Sequence, residues 1–254
     1  DSAGTTVLGG TSTVPVTMDE MLVFTRAASR GVKSALLLAD MPFGSYQASD
    51  EEAVANAIRF VKESGADAVK LEGAGRALAR IAAIVDAGIP VVGHIGLTPQ
   101  SATMLGGYRA QGRTAVAAKA LIASAKALED AGCFAVVLEA IPTVVAEKVT
   151  AAVSIPTIGI GAGPNCSGQV LVWHDVLGLS TGHAPRFVKV YADLTTVISR
   201  ALETYAQEVR TRAYPEPRHG YGMPVDERAV FEKSARTRQR GEPVRPARPV
   251  RKSR

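Results

Sequence analysis

The chain has 254 residues, of which 46% are hydrophobic, 21% charged and 5% aromatic, an ordinary globular composition that excludes collagen-like and disulfide-stapled classes. No stretch approaches the roughly 20 uninterrupted apolar residues of a membrane-spanning helix, and two cysteines, Cys133 and Cys166, read as reduced thiols of a cytoplasmic protein. The net charge of +5 is uneven: residues 1–210 carry 17 Lys and Arg against 19 Asp and Glu, whereas residues 211–254 carry 12 against 5.

Along the body, short apolar and β-branched runs alternate with longer amphipathic or Ala-rich segments. The runs cover 34–40, 66–72, 89–95, 134–139, 155–160 and, more weakly, 186–190. Runs of this kind suit strands buried on both faces, as in a parallel sheet covered by helices. The intervening spacing predicts helices over 18–30, 50–64, 75–87, 114–131, 143–152 and 167–177. Asp50, Glu51 and Glu52 form an acidic first turn. Three helices run into a glycine (Gly65, Gly88, Gly132) immediately before the next strand, where glycine takes the left-handed turn without steric cost.

Such β–α repetition builds either an open doubly wound sheet or a (β/α)8 barrel. The polar residues favour the barrel. Asp40, Glu72, His94 and Glu139 each stand at or beside the carboxyl end of a run, the face at which barrel enzymes assemble their sites from several strands. No Gly-rich turn follows the first run, as an open nucleotide-binding sheet would have. Only six runs are visible where a closed barrel has eight, so the reading is an α/β chain of TIM-barrel type lacking about its first two strands. Asp1 would then sit at a strand end, as a mobile terminus. The domain boundaries are 1–213 for the incomplete barrel and 214–254 for a disordered Arg- and Pro-rich tail, which buries too little apolar surface to offset its chain entropy.

An acid that closes a buried strand is either paired, as a capping or ion-pairing residue, or bound to metal. Two such acids on neighbouring strands, with Asp1 equivalent, point to an oxygen site for Mg2+. The four histidines lack zinc-type spacing. Lys70 and Glu72 are alternate residues and share a strand face, so Lys70 either pairs with Glu72 or holds a substrate carboxylate. Glu139, at the end of an apolar run, suits a general base or a structural acid. His94 is a core or pocket histidine. The Gly- and Arg-bearing segment 106–113 is of the kind that folds over a barrel mouth.

Taken together, these segments match a known pattern. Asp1-Ser2, Leu38-Ala39-Asp40-Met41-Pro42-Phe43, Val69-Lys70-Leu71-Glu72-Gly73, Gly93-His94-Ile95-Gly96-Leu97-Thr98-Pro99-Gln100-Ser101, Gly106-Gly107-Tyr108-Arg109-Ala110-Gln111-Gly112-Arg113, Leu138-Glu139 and Ile158-Gly159-Ile160-Gly161-Ala162-Gly163 stand in order. In these runs the chain resembles the 3-methyl-2-oxobutanoate hydroxymethyltransferase (ketopantoate hydroxymethyltransferase) family over about residues 1–214. The resemblance implies transfer of a hydroxymethyl group from 5,10-methylenetetrahydrofolate to 3-methyl-2-oxobutanoate through a Mg2+-stabilised enolate, giving 2-dehydropantoate for pantothenate biosynthesis. It implies Asp1, Asp40 and Glu72 around Mg2+, and Asp1, Ser2, Asp40, Lys70 and His94 at the ketoacid. It further implies Glu139 as the proton-abstracting base and a cytoplasmic homo-oligomer, typically a decamer. Two alternatives are another Mg2+-dependent α-ketoacid barrel, a lyase or mutase, and a non-catalytic relic whose tail is the useful part. Departing from the family, the chain continues for 33 residues past Tyr221; the tail is expected to be solvated rather than to bind nucleic acid.

Overall fold

The computed structural model describes residues 1–180 and 185–238. Residues 1–195 form one compact unit and the chain from Thr196 onward a second. In the first unit, six parallel strands follow one another in chain order: β1 (Leu38–Asp40), β2 (Ala68–Glu72), β3 (Val91–Gly96), β4 (Ala135–Glu139), β5 (Thr157–Ile160) and β6 (Gly168–Gln169). An open doubly wound sheet reverses its strand order partway; here it never does. That is the order of a barrel wall, as expected for the (β/α)8 class.

The helices of this unit are α1 (Ala3–Thr6), α2 (Met18–Ser29), α3 (Asp50–Arg59), α4 (Arg76–Asp86), α5 (Ala115–Asp130), α6 (Thr143–Ala152) and α7 (Trp173–Val176). Local sequence starts them. The Thr17 hydroxyl accepts from the Glu20 N–H while Glu20 accepts from the Thr17 N–H, closing a capping box. Ser49 and Thr114 cap α3 and α5 in the same manner, through the N–H groups of Glu52 and Ala117. The predicted helix over 50–64 is α-helical only to Arg59 and widens into a π turn over Phe60–Ser64 before Gly65.

Two expectations at the end of this unit are corrected. The run 186–190 forms no strand; the sixth strand is the two-residue Gly168–Gln169, inside the stretch expected to be helical, which reduces to the single turn Trp173–Val176. The reason is physical: once β5 exposes its outer edge, main-chain pairing of Gly168 and Gln169 with Ile158 and Gly159 wins over side-chain pattern. At the N-terminus, where a mobile end was expected, Asp1 is buried and α1 follows directly.

The second unit contains most of α8 (Leu194–Thr211) and α9 (Val225–Arg238). Where disorder was expected from residue 214, the chain forms a short 3-10 turn over Pro217–His219, with Tyr214 packed between Tyr205 and His219, and then α9. An Arg228–Glu232 pair one turn apart supports that exposed helix. Residues 239–254, also expected to be disordered, lie outside the described part. Among the described residues no helix is long and apolar enough to cross a membrane.

Packing divides the sheet residues into two sets. Val69, Leu71, Val91, Ile95, Val136 and Leu138 belong to the main core with Ile81 and Ile84 of α4, Leu128 of α5 and Val149 of α6. Ile81, Ile84 and Leu128 are fully enclosed, each worth about 1.5–3 kcal/mol of transfer free energy. The alternate residues face the other way. There Val92, Ala135 and Val137 form a separate small cluster with Ile158 and Ile160, and the register sets Glu72 beside His94 and Gly96 beside Glu139. One face of the sheet therefore builds the core, and the other carries the polar strand-end residues above an apolar floor.

Gly96 makes the join between β3 and β4 possible. Its φ is +100°, and a Cβ there would collide with the Glu139 carbonyl oxygen and approach Ile141 Cγ2 to 2.8 Å. That carbonyl accepts from the Leu97 N–H at 2.9 Å. Gly96→Ala is expected to cost at least about 2 kcal/mol from backbone strain alone, lowering the melting temperature by roughly 4–8 °C. Thermal unfolding of the variant beside the unaltered chain measures it; an unchanged midpoint would refute the close approach.

Candidate active site

Asp40, Lys70, Glu72, His94 and Glu139 arrive at one place because β1 to β4 end there in register. Lys70 is the hub. Its ammonium lies 2.7 Å from Asp40 Oδ1, 4.0 Å from Glu72 Oε1 and 3.5 Å from His94 Nδ1. Asp40 also accepts from the Asp1 amino group, at 2.6 Å. Glu72 Oε2 accepts from the Gln100 main-chain N–H at 3.0 Å, while Oε1 lies 3.7 Å from His94 Nδ1. On the far side of the imidazole, Nε2 stands 3.1 Å from Glu139 Oε2.

These contacts fix the proton arrangement. Burial of Asp40 favours its neutral form, but the Lys70 and Asp1 ammonium groups outweigh burial and hold the carboxyl well below the usual range. Burial likewise opposes the charge on Lys70, and Asp40 and Glu72 outweigh it, so its pKa is raised. Burial and the Lys70 charge together lower the pKa of His94, leaving a neutral ring. An ammonium has only protons to offer. Nδ1 is thus the acceptor toward Lys70, and the ring proton sits on Nε2, facing Glu139. Glu72 differs: burial pushes its pKa up to about 7, with Lys70 only partly countering.

Of the residues expected at the site, Asp1, Asp40, Lys70, Glu72, His94 and Glu139 are brought together. Ser2 is exposed; its carbonyl takes the hydroxyls of Thr5 and Thr6, and among the described residues its own hydroxyl reaches none of the others. Glu139 is not in apolar surroundings on the side that meets His94. The three acids expected around Mg2+ do not form a cage: among the described residues no three His, Cys, Asp or Glu side chains are so arranged. The Asp1 carboxylate accepts from Gln100 Nε2 at 2.9 Å, and Asp40 is paired with the Lys70 ammonium at 2.7 Å.

A hard cation nevertheless fits. The donors are all carboxylate oxygens, and Glu72 Oε1 is a buried oxygen whose nearest side-chain nitrogens, Lys70 Nζ and His94 Nδ1, are beyond hydrogen-bond length. Mg2+ commonly takes one or two protein carboxylates and completes its shell with water and substrate oxygens. The segment 106–113 is tied to the same end of the sheet. The Gln111 N–H donates to the carbonyl of Ala140, and Gly112 packs on Leu121 and Pro142.

Sequence reasoning did not single out Tyr46 and Gln100, which the structure places against the cluster. Both are buried, and the Tyr46 hydroxyl donates to Gln100 Oε1 at 2.6 Å. The signal present in the sequence is the polar Gln100 in the turn that follows the glycine-bearing end of β3.

The raised pKa of Glu72 has a stability consequence of definite sign. A carboxyl whose folded value exceeds its unfolded value binds more protons when folded, so stability falls as pH rises through the window between the two. For Glu72 that window runs from 4.5 to about 7, worth about 3 kcal/mol in the metal-free chain. Asp40 contributes oppositely, and only in acid, where protonation removes its ion pairs. His94, whose pKa burial lowers, contributes with the opposite sign below its ordinary value of 6.5, so the Glu72 part is read as a difference: between pH 5 and 8 the melting temperature of the metal-free chain should drop roughly 6–12 °C more than that of Glu72→Gln. Parallel slopes for the two proteins in a pH series would disprove it.

Comparison with known proteins places the chain. The family model described as ketopantoate hydroxymethyltransferase matches residues 1–217. A 3-methyl-2-oxobutanoate hydroxymethyltransferase of Carboxydothermus hydrogenoformans is 56% identical over 223 residues, 88% of this chain and 81% of the relative. One of Saccharopolyspora erythraea is 57% identical over 222 residues, 87% of this chain and 75% of the relative. Among solved structures, a phosphonopyruvate hydrolase in complex with oxalate and Mg2+ superposes with a TM-score of 0.51 at 16% identity, over 94% of this chain and 82% of the other, which shows a shared fold. With its strand-end acids, lysine and histidine in one buried cluster and its relatives more than half identical, this chain belongs to the ketopantoate hydroxymethyltransferase family.

Proposed function

We propose that the chain transfers a hydroxymethyl group to 3-methyl-2-oxobutanoate, the activity for which its relatives are named, and that Glu139 takes the proton from C3 of that ketoacid. The observation that supports this most is the contact between Glu139 Oε2 and His94 Nε2. It leaves the second carboxylate oxygen without a side-chain donor among the described residues. The Oε2 oxygen faces the His94 ring at 3.1 Å, and in this reading the other oxygen receives the proton.

The remaining residues have roles that follow from their charge and position. Lys70 stays cationic in a buried place beside the apolar floor of Val92 and Val137, which suits an anion whose other end is a branched hydrocarbon. Its ammonium attracts the ketoacid carboxylate, and the valine and isoleucine side chains accept the isopropyl group. Proton loss at C3 yields an enolate. That carbon forms the new C–C bond to the one-carbon unit, for which 5,10-methylenetetrahydrofolate is the donor in this reading; both C–N bonds to the methylene break, water supplies the hydroxyl oxygen, and tetrahydrofolate leaves with the protons given up by C3 and water on its two nitrogens. Asp40 and Glu72 would hold Mg2+ with Asp1 nearby; bound there, the ion would supply Lewis-acid withdrawal of electron density from the ketoacid oxygens. His94, neutral through burial, orients Glu139 without competing for its proton. Homo-oligomeric assembly and a cytoplasmic location belong to the same reading through the family likeness.

Proton abstraction can be followed apart from transfer, as exchange of the C3 hydrogen of 3-methyl-2-oxobutanoate in deuterated water. Glu139→Gln keeps the shape of the side chain and removes its basicity. The exchange rate should fall about 100- to 10,000-fold, while the ketoacid still binds. Undiminished exchange in the variant would assign the base elsewhere.

A further inference from the structure

Lys70 and Glu72 are alternate residues on the same face of β2, yet they do not close a tight ion pair. Lys70 sits 2.7 Å from Asp40 and 4.0 Å from Glu72. Something holds the Glu72 carboxylate back. Its Oε2 is held by the Gln100 main-chain N–H, and its own main-chain N–H donates to the Tyr46 hydroxyl oxygen at 3.2 Å. Tyr46 in turn donates to Gln100 Oε1. The three residues form a closed circuit linking β2, the loop after β1 and the turn Pro99–Ser101 after β3.

Gln100 has no spare polar group. Besides accepting from Tyr46, its Nε2 donates to Asp1 Oδ2 and to the Met41 carbonyl, both at 2.9 Å. Only one orientation of the amide satisfies these partners, since turning it would set Oε1 against a carboxylate and a carbonyl. The side chain is thus nailed at both ends, and it fixes the main-chain N–H that holds Glu72. Gln100 and Tyr46 are 5% and 3% exposed, so water does not compete for these bonds.

We propose that Tyr46 and Gln100 are positioning residues that aim the Glu72 and Asp1 carboxylates, keeping Glu72 Oε1 out of the Lys70 ion pair and open to a divalent cation. This rests on the reading that Asp40 and Glu72 hold Mg2+. Outer partners of this kind orient the ligands themselves, and their loss commonly costs 10- to 100-fold in metal affinity. Gln100→Met removes the amide at similar volume, and Tyr46→Phe removes a single oxygen.

The test is calorimetric titration of Mg2+ alone into the full chain, the two variants, their double variant and Glu72→Gln, below all their melting temperatures. The KM for Mg2+ and kcat are measured in parallel. Gln100→Met should weaken Mg2+ binding at least tenfold and Tyr46→Phe several-fold. The double variant should be little worse than Gln100→Met, because the two side chains act as one unit. Saturating Mg2+ should restore most of kcat, a split between KM and kcat that a loss of folding would not produce. If Glu72→Gln abolishes Mg2+ binding while both variants bind within twofold of the unaltered chain, the positioning role is refuted and the metal reading stands. If Glu72→Gln itself binds normally, both fall together. Should Gln100→Met fail to fold, Tyr46→Phe decides alone.

Discussion

The site depends on one buried ammonium group shared unequally between two carboxylates. Lys70 compensates Asp40 at close range and Glu72 only at a distance, so the two acids are in different chemical states although they lie on adjacent strands. The Lys70 ammonium beside it favours the ionised form of Asp40. Glu72 carries a charge that its surroundings do not fully support. A buried cluster with two acids and one lysine would ordinarily take up a proton or recruit a further cation. This one is built to do either, and the choice follows from what enters the pocket.

The parallel sheet makes that inequality possible. Parallel register places successive strand ends at a constant offset, and side chains alternate faces with period two. Lys70 and Glu72, two residues apart on β2, therefore point the same way, and His94 follows from pairing with Glu72. Glu139 arises one layer further on, where Gly96 lets β3 and β4 approach. Each charged group is thus placed by main-chain pairing that the apolar core on the opposite face stabilises. Loops carry none of these four residues, which limits how far the cluster can drift.

Much of this was legible in the sequence, for identifiable reasons. Five of the six apolar runs became strands because buried strands of a parallel sheet are apolar on both faces, a signal carried by residues such as Val91, Val92, Val136 and Val137. The acids stood out because Asp40, Glu72 and Glu139 each interrupt such a run at its end. What the sequence hid was pairing. Gly168 and Gln169 lack any strand signature and join the sheet only because β5 offers a free edge. Tyr46 and Gln100, 54 residues apart, meet through loop and turn geometry that no local pattern encodes. The inequality between Asp40 and Glu72 was equally invisible, since both read as strand-end acids.

That inequality also explains why a polar scaffold is worth burying. Removing water from Gln100, Tyr46 and the Glu72 amide costs free energy unless every donor and acceptor is matched, and here each is. An apolar filling of the same volume would stabilise the fold at least as well, but it would leave Glu72 free to swing onto Lys70. The pocket would then hold two closed ion pairs and present no open oxygen. What the matched network supplies is therefore restraint on a carboxylate, kept apart from the nearest cation so that its charge remains available for chemistry.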